Sequence, residues 1–458
     1  MLRSARGAAR RAAAVPFRSL GVRNFRLFAV GQVVSVAGTW MMATAQDWLV
    51  LSLTGDSATA LGTVTALQFA PMALLTLYGG RLADRHDKRR LLVAANLASA
   101  ALSLALAVPV LAGTAGLGAV YACALGLGVV NAVEVPTRMS FVSELVGPDL
   151  LPNASALSAA YFNVARVAGP ALAGVLIGAL GPGGVMLLNG VSYAGTVAGL
   201  LLIRPAELLR GPGPGRAGRV VDGLRYVRER PDLLAVLGLL AAAGVFAFTF
   251  QLSLPLLAKG WFHDDPAAFG LLSTAFAAGS LAAALATTVR TGRPAARAVA
   301  GAALALGLLE VGTGLAPSAA AAAGALVLTG FAAVYFAQAA NHRVQLGSAP
   351  ALRGRVMALY TLILQGSTPL GALLFGLVAE RLGVRVGLCL GGLAVALAAL
   401  PLLPAGRGRS VTVPVPPAHR LSDDTSDPAA GTAPTASELA SASAPTFVST
   451  TVSEMEKS

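Results

Sequence analysis

Lysine is nearly missing from this chain: Lys88, Lys259 and Lys457 are the only three in 458 residues. None sits in a Gly-x-x-x-x-Gly-Lys-(Ser/Thr) loop, and no His-Glu-x-x-His occurs. The chain therefore lacks its own phosphate-cradling loop and the commonest helical zinc site, and no cofactor is implied. Cysteine is as scarce. Cys123 and Cys389 both fall inside apolar runs, which argues against a disulfide framework or a metal cluster and for simple packing. Charge is the third shortage, at 12% of residues against 55% hydrophobic, with a mean hydropathy of +0.71. No soluble globular class has that composition, so the chain is an integral membrane protein. The few charges sum to +13. The arginines lie in short loops between apolar runs and make no basic face or groove, so they report membrane topology, and nucleic acid is not a partner.

Taking about 20 apolar residues as one crossing of the bilayer, the sequence divides into twelve spans. They lie near 25–53, 58–80, 90–112, 116–138, 153–180, 184–203, 233–257, 267–289, 296–316, 319–345, 354–380 and 385–404. A basic segment, 1–24, precedes them. The first span is too long for a cleavable signal core and stays in the protein. Residues 204–232, rich in Pro, Gly and Arg, form a linker between a bundle at 25–203 and a second at 233–404, and 405–458 reads as a disordered polar tail. Placing the linker in the cytoplasm also places there both termini, the loop around Asp84, Arg290 to Arg297 and Arg343 to Arg355. The opposite loops are almost free of cations, the exceptions being Lys259, and Arg381 with Arg385 beside Glu380.

The two bundles echo each other. The fourth span ends in Asn131, Glu134 and Arg138 at helical spacing, and the tenth ends in Gln338, His342 and Gln345 beside Arg343. Pro170 with Gly174 is answered by Pro369 with Gly371. Between the second and third spans runs Gly79-Gly80-Arg81-Leu82-Ala83-Asp84-Arg85-His86-Asp87-Lys88-Arg89-Arg90. Its glycines allow close helix approach, and its acid can bond to a neighbouring helix N-terminus. In the second bundle the matching loop, Arg290 to Arg297, has cations and no acid.

The spacing from Gly80 to Asp84-Arg85 and on to Lys88-Arg89 resembles the loop signature of the major facilitator superfamily, with Asp87 where that pattern has a second glycine. Aspartate tolerates the left-handed conformation such a position requires. The run Glu134, Pro136, Arg138, Glu144, Gly147, Asn153, Asn163, Arg166, Gly169 and Pro170 is similar to the branch containing the enterobactin exporter and macrolide efflux proteins. The resemblance covers all twelve spans. It implies an all-α membrane protein of two pseudo-symmetric six-helix bundles in a bacterial inner membrane. Gly80, Asp84, Arg85, Lys88 and Arg89 would then latch one conformation. Gly169, Pro170 and Gly174 reduce to the bend motif of antiporter members and let the fifth span bend and pack.

Ionisable residues inside hydrocarbon are costly and face a cavity or a partner. Asp47 and Arg166 are the leading pair for proton coupling or for the cavity. Glu134 and Arg138 are further candidates for proton coupling or for the cavity, although they are also spaced to pair with each other, and Glu310 lies where water can reach it. A substrate cavity is expected among Gln68, Asn163, Phe246, Phe250, Gln251, Gln338, Asn341 and Gln365, with Tyr161, Phe162, Phe248, Tyr335 and Phe336 as further aromatic residues able to line it, because a buried amide needs a partner and aromatic walls suit a large apolar solute. The leading function is secondary active export of a largely apolar small molecule such as a drug, siderophore or secondary metabolite. Alternating access and proton antiport would drive it, in a monomer that is not an enzyme. Uptake of a polar metabolite, a non-transporting receptor on the same scaffold, and a pump with a separate ATPase subunit are the other classes.

Overall fold

In the computed structural model the chain is described over residues 15–209, 220–262, 266–288, 292–350 and 352–403. The extreme N-terminus, the middle of the linker and the tail expected after 404 lie outside those residues. Secondary structure among them is helical, with no strand. The helices are α1 (Arg23–Thr54), α2 (Ala58–Arg85), α3 (Lys88–Leu111), α4 (Leu117–Leu145), α5 (Leu151–Leu202), α6 (Val220–Arg228) and α7 (Pro231–Phe246). They continue with α8 (Phe250–Phe262), α9 (Pro266–Thr288), α10 (Ala296–Leu315), α11 (Ala319–Gly347), α12 (Arg353–Leu382) and α13 (Val384–Ala399).

Among the described residues eleven stretches are long and apolar enough to cross a membrane, with α7 and α8 counted together as one. One of the eleven is α5, whose 52 residues would span about 78 Å if straight, more than twice the hydrocarbon thickness of about 30 Å. It does not run straight. Gly181 takes φ 69°, ψ 170°, a conformation essentially restricted to glycine, with Pro182 directly after it. The second limb then turns back along α1, since Gly31 meets Thr196 while Gly38 meets Asn189 and Ser192. Two spans in one helix bring the total to twelve.

Each half is closed by the same kind of contact. A Cβ at Gly79 would lie 2.0 Å from the Ala132 carbonyl oxygen, and one at Gly128 would lie 2.3 Å from that of Gln68, so α2 and α4 touch backbone to backbone. In the second half Gly279 and Gly330 do the same for α9 and α11, at 1.8 Å from Val327 O and 2.0 Å from Phe276 O. With little hydrophobic drive between helices in lipid, such close packing is what holds them. Gly80, by contrast, has open space where a Cβ would stand. Only its neighbour Gly79 makes the close helix approach expected of both.

Helix starts are set by local caps. Asp87 stays extended, at φ −62°, ψ 112°, and its carboxylate accepts the Arg90 N–H at 3.0 Å. It therefore needs no left-handed turn and serves as the N-cap of α3. Ser57 and Ser318 cap α2 and α11 in the same way.

The halves meet chiefly through α2 with α12, the first limb of α5 with α9, and α8 with α1 and α2. Gly62 abuts the Ala372 carbonyl, Gly376 that of Ala58, and Gly270 that of Pro170. These contacts cluster toward the cation-poor end of the bundle, where α1 ends and α2 begins.

Candidate functional site

Where the halves join they enclose a cavity of about 320 Å³, within the usual range for a small-molecule site. Trp40, Thr44 and Asp47 enter it from α1, Phe69 from α2, and Arg166 and Pro170 from α5. Phe248, Phe250, Gln251 and Leu254 come from the α7–α8 junction, Phe269, Ser273 and Phe276 from α9, Ala333 and Ala337 from α11, and Thr368 from α12. The walls are mostly aromatic and aliphatic, with few polar groups.

The α7–α8 junction is a break inside one span. The N–H groups of Ala247 and Phe248 both reach the Ala243 carbonyl, ending the α7 ladder. The next ladder starts when Leu252 and Ser253 bond back to Thr249 O. The gap brings Phe248, Phe250 and Gln251 into the cavity, an irregular backbone at membrane depth tolerated where it lines a cavity.

Of the residues singled out from the sequence, Asp47, Arg166, Pro170, Phe248, Phe250 and Gln251 line this cavity. The others lie elsewhere. Gln68 and Gln338 are each adjacent to a lining residue, Phe69 and Ala337, and one helical step of about 100° turns them aside. Asn341 is a further turn along α11 and is not on the wall. Asn163 bonds to the Ala159 carbonyl of its own helix at 2.7 Å. Gln365 reaches Met72 Sδ at 3.6 Å, between α12 and α2. Phe246 ends α7 with its carbonyl against Gly391. Glu134 and Arg138 pair with each other at 2.9 Å. The backbone stays helical through Gly169 and Pro170, and the residue that leaves helical geometry is Gly181. Gly169 is instead a contact point, with Trp40 Cβ 2.5 Å from where its own Cβ would be.

Trp40, Phe69, Phe269, Ser273 and Thr368 escaped the sequence reading. A signal existed in the spacing of Trp40, Thr44 and Asp47, and of Phe269, Ser273 and Phe276. Both triplets follow the i, i+3/i+4 rule that puts residues on one helix face.

Asp47 and Arg166 share the cavity at different depths. The first limb of α5 starts where α1 does, since Ser19 N–H bonds to Asn153 Oδ1 at 3.0 Å, and the two helices touch at Trp40 and Gly169. Asp47 lies two turns beyond that contact and Arg166 one turn before it, which separates them by about 15 Å along the bundle. Neither makes an ion pair or hydrogen bond among the described residues.

Charges outside the cavity divide by end. At the arginine-rich end Lys88 pairs with Glu144. Arg89 donates to the carbonyls of Leu200 and Leu201 at 2.6 and 2.8 Å, at the end of α5. Asp84 and Arg85 are exposed, and Asp84 has no partner among the described residues. In the second half the missing acid is supplied from a distance: Asp232, at the start of α7, accepts Arg293 at 2.7 Å and Arg230 at 3.1 Å.

At the cation-poor end Asp56 and Lys259 lie 2.5 Å apart. Glu380 accepts the Ser57 hydroxyl and the Thr59 N–H, each at 3.1 Å, at the N-terminus of α2. Both contacts join one half to the other. Arg385 bonds to the carbonyls of Gly314 and Ala316. The sequence exceptions to the cation asymmetry are thus structural. Glu310 departs from expectation: it is 0% exposed and neither oxygen has a partner among the described residues, because α10 packs its face onto α13 at Gly307 and Gly392.

A family model described as "transmembrane secretion effector" matches residues 13–419. The chain belongs to this family, a branch of the major facilitator superfamily. As a family member it is a multi-span membrane transporter and not an enzyme. It is 28% identical to the multidrug efflux pump Tap of Mycolicibacterium fortuitum over 369 residues, covering 76% of this chain and 87% of that one. It is 26% identical to the enterobactin exporter EntS of Citrobacter koseri over 360 residues, 77% of this chain and 84% of the other. A third relative, the staphyloferrin A transporter of Staphylococcus aureus, is 27% identical, but the match spans 54% of this chain and 62% of that transporter. In fold it resembles the nucleoside transporter NupG, with a TM-score of 0.69 at 9% identity over 83% of this chain and 99% of that one. It also resembles a bacterial homolog of the lysosomal transporter Spinster, at 0.63 and 15% identity over 84% and 95%.

Proposed function

We propose that this transporter exports a largely apolar small molecule by alternating access of its two halves, with protons moving the other way. The observation that carries the reading is the aromatic-walled cavity between the halves, with the inter-half pairs Asp56–Lys259 and Glu380–Ser57 at one end of it. The named efflux of drugs by Tap and of enterobactin by EntS supports the outward direction. Positive charge concentrated at the Asp84 end supports a cytoplasmic location for that end and for both termini, in a bacterial inner membrane. A monomer encloses the cavity by itself.

In this reading the structure has the cavity closed toward the outside. Exposed Asp84 is then the free half of a latch that engages when the cytoplasmic side closes. Lys88 and Arg89 hold its loop in place through the Glu144 pair and the end of α5, with Gly80 and Arg85 as the remaining members of the motif. Asp47, the acid on the cavity wall, is the proton carrier, because a carboxylate on an apolar wall can exchange its proton when the cavity changes sides. Glu134 and Arg138 neutralise each other and take no part.

The test is accumulation of a panel of fluorescent amphiphiles by cells expressing the full chain, with and without an uncoupler. Lower accumulation that the uncoupler restores is expected. Accumulation equal to that of cells without the protein, across the panel, overturns export.

A further inference from the structure

Three sets of hydrogen-bond donors without acceptors converge on one wall of the cavity. The first is Arg166. It lines the cavity and has no ion pair or hydrogen bond among the described residues, although an unpaired cation at membrane depth is costly and is retained where it faces a cavity or a partner. The second is Ser273, 7% exposed, on the cavity wall, with no hydrogen-bond partner for its hydroxyl among the described residues. The third is the first turn of α8. The α7 ladder ends at Phe248 and the α8 ladder begins at Leu252, so the N–H groups of Phe250 and Gln251 have no backbone acceptor among the described residues, and the helix adds a partial positive charge there.

The packing brings these groups together. The first limb of α5 and α9 run antiparallel and touch where Gly270 meets Pro170 and Ala171. One turn from that contact, in the same direction along the bundle, stand Arg166 on α5 and Ser273 on α9. Phe276, the next α9 residue on that face, lies against Phe250, ring centroids 4.3 Å apart, which places the first turn of α8 beside them. Asp47, the cavity's acid, is about 15 Å away along the bundle and leaves the cluster uncompensated.

We infer that Arg166, Ser273 and the N-terminus of α8 form an anion subsite, and that the substrate is an amphiphile with a carboxylate or similar oxyanion on an apolar body. A carboxylate there accepts charge-assisted hydrogen bonds from Arg166 and backbone N–H groups at once, as anions do at helix N-termini. The rings of Trp40, Phe248, Phe269 and Phe276 take the apolar part. The inference deepens the transport reading and rests on it for direction, while binding tests it separately.

The experiment measures equilibrium binding of naphthalene-2-carboxylate and of its neutral isostere naphthalene-2-carboxamide to the full chain in phosphatidylcholine nanodiscs. The parent is expected to prefer the carboxylate by about tenfold, the yield of one charge-assisted bond in a shielded site. Arg166→Gln brings the ratio near one, and an unchanged melting temperature in the nanodisc shows the variant is folded. Arg166→Lys keeps part of the preference, and Ser273→Ala lowers it by about threefold. Equal affinities in the parent, binding of neither probe, or an unchanged ratio in Arg166→Gln overturn the subsite. The expected ratio without movement of the carboxylate across proteoliposomes leaves the subsite standing and removes the export reading.

Discussion

Asp56 Oδ1 lies 2.5 Å from Lys259 Nζ, tying the loop after α1 to the end of α8 and so one half of the transporter to the other. Lys259 is 8% exposed, Asp56 50%, and the ammonium also stands 5.2 Å above the Trp48 ring. Asp56 reaches the lysine from a left-handed backbone, φ 70°, which aspartate and asparagine tolerate best among residues with a side chain. Asp56→Asn therefore removes the charge without disturbing the loop. A half-exposed pair contributes about 1 kcal/mol or less, so the variant should shift the balance away from closure at this end by up to about fivefold. Spin-label distances between cysteines placed at Thr54 and Leu382, in a chain lacking Cys123 and Cys389, would widen. An unchanged distribution would remove the pair from the closure.

Glu380 accepts two hydrogen bonds at the α2 N-terminus, where a carboxylate is favoured by the helix dipole. Glu380→Gln keeps an acceptor and should move the same distance distribution less than Glu380→Ala does. Equal shifts from both would show that the charge alone matters.

Asp84 has no partner among the described residues. Asp84→Asn should slow transport several-fold while leaving equilibrium substrate binding in place, because it acts on the balance between states and not on the cavity. Transport at the parental rate would rule out the latch.

Asp47→Asn should abolish substrate-induced proton movement in proteoliposomes with an imposed pH gradient and leave downhill substrate flux. Full proton-coupled export by this variant would eliminate Asp47 as the carrier. Export in the parent that ignores the gradient would eliminate proton antiport itself.

Gly181→Ala places a Cβ in a conformation that L-residues avoid, at a cost of about 1 to 3 kcal/mol. It should lower the detergent melting temperature and leave cavity binding intact in the surviving folded fraction. No change in melting would mean the reversal between the two limbs of α5 is set elsewhere.

Much of the architecture was open to reading because lipid makes it local. A stretch of apolar residues long enough to cross a bilayer must satisfy its own backbone, so length and composition alone mark a helix. The twelve spans follow, including the two joined in α5, where Gly181-Pro182-Gly183-Gly184 announces a reversal. Asp47 and Arg166 stood out for the same reason, since an ion in an apolar run is visible without knowing its neighbours.

The tertiary structure decided which helix face meets which. Gln338 and Ala337 are adjacent in sequence, yet only Ala337 lines the cavity, because one residue of helix is a 100° rotation whose origin is set by packing. Lys259 reads as a flaw in the cation pattern until folding places it opposite Asp56, some two hundred residues away along the chain. Arg166 and Ser273 carry no common sequence signal, and only the crossing of α5 and α9 at Gly270 brings both to the wall of one cavity. Composition fixed the solvent, the helices and their number; contacts between distant residues, which no local pattern encodes, assembled the cavity.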